Sequence, residues 1–390
     1  MPEPIYLDHA ATTPVRPEVL EAMAPFYGPR FGNPSSLHRW GREARTALDE
    51  ARERLAGCIS ARSDEICFTS GGTEADNLAI LGGWRARRAE GRNAIVSDPI
   101  EHKAVLGAVH QASKEGAEER LCRVTPDGVV DGESFNELTR PDVAVVSIMW
   151  VNNEIGTIQP VEEFAMTAKS RGALFHTDAV QAFGKIEIDA RKVPFDALAM
   201  SGHKIGAPKG CGAIFIRRGT VLEALFHGGT QERGKRPGTE NVAAAIGLAK
   251  AAELACSERE AEGRRLRGLR ERLERGIRER VPDAVIHGAN APPSQRAPHI
   301  VNVSVPGTDT ESMLMALDLQ GIGCSGGSAC QSGSASPSHV LSAIGVPHGL
   351  VGAAIRMSLG SLSDEKSVDR VVEVFTKLVT KARNLAGVSS

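Results

Sequence analysis

Short apolar runs alternate with longer segments of helical periodicity along most of the chain. From residue 65 onward, runs rich in β-branched and other apolar residues predict strands at 65–70, 93–97, 143–150, 173–178, 195–201 and 212–218. Segments with apolar residues at every third or fourth position lie between several of these runs and predict helices at 73–88, 102–115 and 161–171. Strand–helix alternation of this kind predicts an α/β fold around a mostly parallel sheet.

A second unit is predicted towards the C-terminus. A long charged segment with helical apolar spacing, at about 240–280, leads into it. Two further strands are predicted at 299–305 and 353–359, and a helix at about 364–385. The length of 390 residues also favours more than one domain.

Polar clusters accompany the ends of four predicted strands. Their sequences are TSGGTEADN, VNNEIG, TDAVQ and SGHK. In open α/β sheets, ligands bind at the carboxyl ends of the strands. Each cluster taken alone is also what an ordinary turn contains. Their common position at strand ends favours one shared binding site.

Three of these clusters contain candidate cofactor ligands. Gly71 and Gly72 end a strand and begin a helix, an arrangement that exposes backbone N–H groups to a phosphate. Lys204 follows an apolar strand, in a partly enclosed position where a lysine can form a Schiff base with a carbonyl compound. Asp178 ends a strand, where it can pair with the pyridinium nitrogen of pyridoxal phosphate. The alternatives are a glycine turn with Thr73 as a helix cap, a solvated loop lysine and a turn-forming aspartate.

Two cysteines lie in a glycine- and serine-rich stretch, GIGCSGGSACQSGS, at 321–334. Such neighbours favour an exposed and pliable loop, which is an unusual position for a thiol. The glycines also match the dinucleotide motif G-x-G-x-x-G, but a helical pattern precedes them and the next acidic residue is Asp364, so we reject that motif. A metal site at Cys324 and Cys330 is not favoured, because neither a C-x-x-C pair nor a nearby histidine pair completes four ligands.

Composition argues against several other classes of protein. The net charge of -2 argues against an electrostatic nucleic-acid binder. The N-terminus has no basic stretch followed by an apolar one, so we expect no secretory signal, and no apolar run approaches the roughly 18 residues of a membrane span. The 7 cysteines are scattered and odd in number, which indicates reduced thiols. We expect a soluble, cytoplasmic protein.

Motifs along nearly the whole chain resemble the cysteine desulfurases, which are pyridoxal-phosphate enzymes of the class V aminotransferase superfamily that supply sulfur for iron–sulfur clusters. These motifs are YLDHAATTP, NPSSLHRWGREAR, FTSGGTEADNLAI, EHKAV, VNNEIGTIQP, TDAVQAFGK, SGHKIGAPKG, GGTQERGKRPGTEN, SGGSACQSGS and IRMSLG. The long loop around Cys330 is similar to the group I branch, the nitrogen-fixation and housekeeping type. One departure is Ala207, where the family commonly has another glycine.

The resemblance implies a fold and a domain division. The fold is that of the type I pyridoxal-phosphate transferases, with a large domain built on a mostly parallel seven-stranded sheet and a smaller α+β C-terminal domain. The large domain would span 16–260, and the small domain would combine 1–15 with 261–390. The catalytic cysteine loop, at about 321–338, would belong to the small domain.

The resemblance also implies how pyridoxal 5'-phosphate is held. Lys204 would bind the cofactor covalently and then move protons as base and acid. Asp178 would pair with the pyridinium nitrogen, and His102 would stack on the ring and assist proton transfer. The phenolic side of the ring would be hydrogen-bonded by Gln181 and Asn153. The phosphate would be held by Gly72, Thr73, Ser201 and His203, joined by Thr239 from the neighbouring subunit of a homodimer.

The implied reaction converts L-cysteine to L-alanine. Arg356, with Asn153, would bind the substrate carboxylate, and Cys330 would take the sulfur as a persulfide for transfer to an iron–sulfur scaffold or another acceptor protein. No metal site is expected beyond a transient contact of Cys330 with a cluster during transfer. Structural alternatives are an ion-pair role for Arg356 and a helix-capping role for His102, and Cys324 is expected to be a semi-buried bystander.

Other functions stay open at this level. A selenocysteine lyase or a transaminase would share the cofactor residues, and a transaminase would not need Cys330 in a pliable loop. A protein of another class, without a cofactor, could handle sulfur or metal through Cys324 and Cys330. The acceptor pathway, whether nitrogenase, general cluster assembly or tRNA thiolation, is not encoded in any pattern we recognise.

Overall fold

The structure, a computed structural model, describes residues 3–326 and 337–385. Its strands are β1 (Ile5–Tyr6), β2 (Ile66–Thr69), β3 (Ala94–Ser97), β4 (Glu118–Leu121), β5 (Val143–Ser147), β6 (Leu174–Asp178), β7 (Ala197–Ser201), β8 (Gly212–Ile216), β9 (Val285–Ile286), β10 (Ile300–Ser304), β11 (Ile322–Gly323), β12 (Ser325–Gly326) and β13 (Ala354–Ser358). Its α-helices are α1 (Pro17–Met23), α2 (Arg39–Gly57), α3 (Gly72–Asn77), α4 (Gly83–Arg88), α5 (Lys103–Lys114), α6 (Gly132–Leu138), α7 (Val161–Ser170), α8 (Val242–Arg280), α9 (Thr310–Leu319), α10 (His339–Ala343), α11 (His348–Val351) and α12 (Glu365–Leu385).

The larger sheet has seven strands in the order β2-β8-β7-β6-β5-β3-β4. The pairs from β7 to β4 are parallel, whereas β8 runs antiparallel to both of its neighbours. Within β7, Leu198 and Met200 pack into one hydrophobic cluster and Ala197 and Ala199 into another on the opposite face. Helices therefore cover both faces, as a parallel sheet requires. The predicted α/β class and the mostly parallel, seven-stranded sheet are confirmed.

Most predicted elements are present with bounds shifted by one to three residues at their ends. The strand predicted at 143–150 stops at Ser147, and the helix predicted at 73–88 consists of α3, a π-helical segment at Leu78–Gly82 and α4. The edge strand β4 was not predicted, because its sequence EERL lacks an apolar alternation. Charged residues on an edge strand discourage pairing with another chain, and they also remove the usual strand signal.

A four-stranded antiparallel sheet, in the order β12-β13-β10-β9, forms a second layer near the C-terminal part of the chain. The long helix α8 packs Leu248 and Ala252 into the cluster of the larger sheet, and Leu269 and Leu273 into the cluster of the smaller one. We propose that the domain division near residue 260 falls inside this helix. No helix within 3–326 or 337–385 is long and apolar enough to cross a membrane.

A buried ion pair attaches the segment before α8 to the larger sheet. Arg52 of α2 and Glu232 form two short hydrogen bonds, of 2.6 and 2.7 Å, and their side chains are 6% and 1% exposed. Glu232 also accepts the backbone N–H of Phe68, and Arg52 donates to the carbonyl of Ile66. The pair therefore also provides hydrogen-bond partners for two backbone groups of β2. It fixes the position of the segment that continues to Thr239.

Substituting Arg52 should destabilise the fold strongly. Arg52→Met would leave the Glu232 carboxylate buried without its partner, which costs about 3–5 kcal/mol in comparable pairs. The matched control is Arg54→Met on the same helix, because Arg54 is 44% exposed and its surface pairs contribute less than about 1 kcal/mol. Urea denaturation of both variants measures the difference, and equal small losses would show that the buried pair is not anchoring this segment.

Candidate active site

A cavity of about 300 Å³ opens at the carboxyl ends of the parallel strands. Ten of the residues singled out in the sequence line it: Gly72, Thr73, His102, Asn153, Asp178, Gln181, Ser201, His203, Lys204 and Arg356. They come from six separate stretches of the chain, and the sheet brings them together as the strand-end rule predicts. Thr239 is exposed and does not line the cavity of its own protomer. Cys330 lies outside the described residues.

Lys204 ends a short 3-10 turn that follows β7 directly. Its ammonium donates hydrogen bonds to the backbone carbonyls of Ala10 (2.6 Å) and Ala11 (2.7 Å). The N-terminal segment therefore holds the lysine, and Thr13 extends the contact by bonding to the carbonyl of His203. Backbone carbonyls carry no side-chain signal, so the sequence did not reveal these partners.

Three titratable groups share one buried corner of the cavity. The ligand atoms of Asp76, His102 and Asp178 all lie within 4.8 Å of one another, a spacing that would also suit a metal ion. Burial raises the pKa of Asp76 well above its usual value, and the nearby Asp178 raises it further. Burial also raises the pKa of Asp178, but His102, the N–H of Val180 and Lys204 favour its charged form. Asp178 is therefore the carboxylate of this pair, and Asp76 carries the proton.

A chain of buried polar groups continues behind Asp76. His176 Nε2 lies 3.4 Å from Asp76 Oδ1, and its Nδ1 is 2.9 Å from Ser147 Oγ. Ser147 Oγ donates to Glu101 at 3.4 Å. Burial lowers the pKa of His176 to about 3, so the imidazole is neutral. Sequence analysis missed these residues, since their only signal was a polar position within a strand or a motif.

His102 is both a helix cap and a cavity residue. Its Nδ1 accepts the backbone N–H of Ala104 at 3.2 Å, which caps α5. Because Nδ1 accepts, the neutral ring carries its proton on Nε2. The helix-capping role predicted for His102 is therefore present. The cap orients the ring, and the ring still lines the cavity.

Close packing leaves little space at the turn before α3. A Cβ on Gly72 would lie 2.7 Å from Val180 and 3.7 Å from the Cβ of Ser201. A Cβ on Gly212 of the adjacent strand would lie 2.5 Å from Gly71. Side chains at these glycines would push the turn away from the sheet. The glycines therefore keep the backbone of the turn against Ser201 at the cavity wall.

Arg356 on β13 reaches the cavity from the smaller sheet. It is 2% exposed, its Nη1 donates to the carbonyl of Asn153 (3.0 Å) and its Nη2 to Asp8 (2.9 Å). Its Nε has no hydrogen-bond partner among the described residues. An unpaired donor on a buried guanidinium is costly and is suited to an anionic ligand. The structural ion-pair role predicted as an alternative for Arg356 is also present, because the guanidinium pairs with Asp8.

Segment 327–336 lies outside the described residues, but the residues on either side of it contact residues that line the cavity. Ser325 pairs with Arg356 across the smaller sheet. At the other end, Ser338 caps α10 and donates to Glu154 at 2.5 Å. Glu154 lines the cavity, and its burial raises its pKa to about 7.

Comparison with known proteins shows the family of this chain. The aminotransferase class-V family model matches residues 5–371. The chain belongs to that family.

Several similar proteins have names more specific than that of the family. A protein named cysteine desulfurase IscS from Dictyoglomus turgidum (strain DSM 6724 / Z-1310) is 46% identical over 386 residues, which cover 99% of this chain and 97% of the relative. A solved NifS-like protein superposes with a TM-score of 0.90 at 35% identity, covering 97% of this chain and all of that one (100%). A structure described as SspA in complex with cysteine has a TM-score of 0.80 at 33% identity, over 91% of this chain and 98% of that one.

Glu154 makes a testable contribution to the pH dependence of this family member's stability. Its pKa of about 7, against an ordinary value of 4.5, means that the folded state keeps a proton that the unfolded chain has already released. The resulting stabilisation is complete below about pH 4.5 and is lost as the pH rises to about 7. Glu154→Gln mimics the protonated form, so relative to the parent its free energy of unfolding should rise by about 3 kcal/mol over that interval.

Urea denaturation across that pH interval measures this difference. The matched control is Glu162→Gln, at an exposed position on α7. If the difference in free energy of unfolding between Glu154→Gln and the parent changes as little with pH as it does for the control, the raised pKa of Glu154 is contradicted.

Proposed function

We propose that this protein is a pyridoxal-phosphate-dependent cysteine desulfurase that converts L-cysteine to L-alanine and passes the sulfur on as a persulfide of Cys330. The observation that carries the proposal is the joint placement of a lysine, a charged carboxylate and a buried arginine in one cavity. These are Lys204, Asp178 and Arg356. The names of its relatives support the same activity.

The cavity residues fit pyridoxal phosphate chemically. The Gly71–Gly72 turn begins a run of helical residues beside Ser201, which suits a phosphate because helix N-termini attract anions. The carboxylate of Asp178 suits a pyridinium nitrogen. Lys204, which lines the same cavity, supplies the amine for a covalent link. When bound, the cofactor supplies an electron sink that stabilises negative charge on the substrate's carbon atoms.

Arg356 provides the binding site for the substrate carboxylate. Asp8 and the carbonyl of Asn153 hold two of its nitrogens in place, so the guanidinium is oriented before the substrate arrives. Its Nε, which has no partner among the described residues, can donate to the carboxylate. Preorganised donors of this kind bind anions with less loss of conformational entropy.

Lys204 and His102 are placed to move protons. Two carbonyls, those of Ala10 and Ala11, hold the Lys204 ammonium by hydrogen bonds of 2.6 and 2.7 Å and fix its position relative to the substrate. His102 lines the cavity, and the use of its Nδ1 for capping α5 fixes the orientation of its ring. General acid–base groups at fixed positions are what repeated proton transfers on one substrate require.

Cys330 is the proposed nucleophile. Its thiolate would bond to the substrate's sulfur as the carbon–sulfur bond breaks, and the protonated carbon skeleton would leave as alanine. The described residues on either side of its segment support this role, since Ser325 pairs with Arg356 and Ser338 bonds to Glu154. Cys324 does not suit the role, because burial raises the pKa of its thiol to about 12.

A homodimer is part of the proposal. Thr239 is exposed in its own protomer, as a residue that completes a neighbour's phosphate site would be. Several large apolar side chains are also exposed on two segments of this chain, among them Tyr27, Phe31, Leu37 and Phe226. Exposed apolar clusters commonly mark protein interfaces. The sulfur acceptor, an iron–sulfur scaffold or another protein, would use a different surface near the Cys330 segment.

The activity can be tested directly. The protein reconstituted with pyridoxal phosphate should convert L-cysteine, in the presence of a thiol reductant, to equal amounts of alanine and sulfide. Cys330→Ala should abolish both products. Cys324→Ala is the matched control and should keep activity, because its thiol is protonated at neutral pH.

The possible outcomes separate the candidate activities. Alanine and sulfide from both the parent and Cys330→Ala would show that Cys330 is not required, as in a lyase acting on selenocysteine or cysteine. Exchange of amino groups with a keto acid, unaffected by Cys330→Ala, would indicate a transaminase. A reconstituted protein that forms no product would overturn the proposed substrate.

Arg356 can be tested through the substrate's apparent affinity. Arg356→Lys keeps the charge but loses the planar fork, so kcat/KM for L-cysteine should fall about 10- to 100-fold, mainly through KM. The matched control is Arg383→Lys, because Arg383 also pairs with an aspartate but does not line the cavity. Steady-state kinetics of both variants measures the effect. A change confined to kcat would argue that Arg356 does not bind the substrate carboxylate.

A further inference from the structure

We propose that Cys58 and Cys256 are a thiol pair that hydroperoxides oxidise to a reversible disulfide between α2 and α8. This modification site is separate from the cavity described above and does not depend on the proposed activity. It would take hydrogen peroxide or an organic hydroperoxide as its oxidant.

The geometry places the Cys256 thiol against Cys58. Cys58 is the C-terminal cap of α2, and Cys256 lies in the middle of α8, 198 positions further along the chain. Cys256 Sγ lies 3.9 Å from the carbonyl oxygen of Cys58, to which it donates a hydrogen bond, so the two residues are neighbours in space. Both side chains pack against the hydrophobic cluster of the larger sheet and keep part of their surface exposed. A small peroxide can therefore reach them.

The two thiols differ in acidity, which gives each a role. The neighbouring Cys58 side chain lowers the pKa of Cys256, and Arg259 on the next turn of α8 lowers it further. Cys58 is at the negative end of the α2 dipole, and its pKa is raised by Cys256 and by burial. We assign Cys256 as the thiol that reacts first, because it lies one turn from Arg259, and Cys58, at the negative end of the α2 dipole, as the thiol that resolves the product.

The other described cysteines lack these properties. Burial raises the pKa of the Cys122, Cys211 and Cys324 thiols to about 12, and that of Cys67 higher still. A protonated, buried thiol reacts slowly with peroxide. Among the cysteines of 3–326 and 337–385, the pair therefore stands out as the reactive site.

The oxidation proceeds in two balanced steps. The Cys256 thiolate attacks one oxygen of the peroxide, the O–O bond breaks, and Cys256 becomes a sulfenic acid while hydroxide leaves. The Cys58 sulfur then attacks the sulfenic sulfur, forming the S–S bond, and water leaves with the thiol proton. The cysteines lose two electrons in total, and a thiol reductant returns them.

The disulfide would join two helices that pack against the larger sheet. It closes a loop between residues 198 positions apart, and long closed loops restrict the unfolded chain most. The oxidised protein should therefore unfold at a higher temperature than the reduced one, by about 5–10 °C. Neither cysteine lines the cavity, so substitution at either position should leave turnover unchanged.

Peptide mapping of the holoenzyme tests the proposal. The protein is treated with hydrogen peroxide, its remaining thiols are alkylated, and the digest is analysed without reduction. The expected result is a linked peptide pair containing Cys58 and Cys256, which disappears after treatment with dithiothreitol. The Tm difference between oxidised and reduced parent should disappear in Cys58→Ser and Cys256→Ser but persist in Cys122→Ala.

Two results would overturn the proposal. One is accumulation of sulfinic or sulfonic acid on Cys256 without any linked peptide in the parent. The other is a linked peptide that joins Cys256 or Cys58 to a different cysteine. Because the mapping and the Tm comparison use the parent protein, they decide the question even if a variant fails to fold, and turnover shows that each variant has folded.

Discussion

The contact between the N-terminal segment and Lys204 is the interaction on which the site depends. The segment pairs through β1 with β11, returns its Leu7 carbonyl to the N–H of Ser358, and ends with the carbonyls of Ala10 and Ala11 on the Lys204 ammonium. It therefore connects the smaller sheet to the end of a strand in the larger one. Asp8, in the same segment, orients Arg356. One short stretch of backbone thus sets the separation of the two groups that would hold cofactor and substrate.

Burial of ionisable groups gives this site its electrostatic character. Asp76, Asp178 and Glu101 are nearly inaccessible to solvent, and the pKa of each is raised by that burial. Desolvation favours neutral carboxyl groups, so the carboxylate closest to positive groups keeps the charge. Lys204 is the positive neighbour of Asp178, and His102 also favours the charged form of Asp178. The charged carboxylate of Asp178, backed by neutral groups, suits a bound cation such as a pyridinium ring.

The larger part of the fold could be predicted from apolar periodicity. Buried parallel strands such as β5 and β7 are short continuous apolar runs, and the helices between them repeat every three or four residues. The edge strand β4 and the two-residue strands β1, β11 and β12 were not predictable in this way. Their sequences are too short or too polar, and they form because another part of the chain presents a free strand edge.

The sequence by itself determined the α/β class, the position of the polar clusters at strand ends and the family motifs that name the cavity residues. Only the tertiary structure decided how these residues are held. The hydrogen bonds of Lys204 to Ala10 and Ala11, the pairing of Arg356 with Asp8 and the chain from Asp76 to Glu101 join positions far apart in sequence. The physical reason is that local periodicity is set by neighbours along the chain, whereas pKa values and ligand geometry are set by burial and by contacts through space.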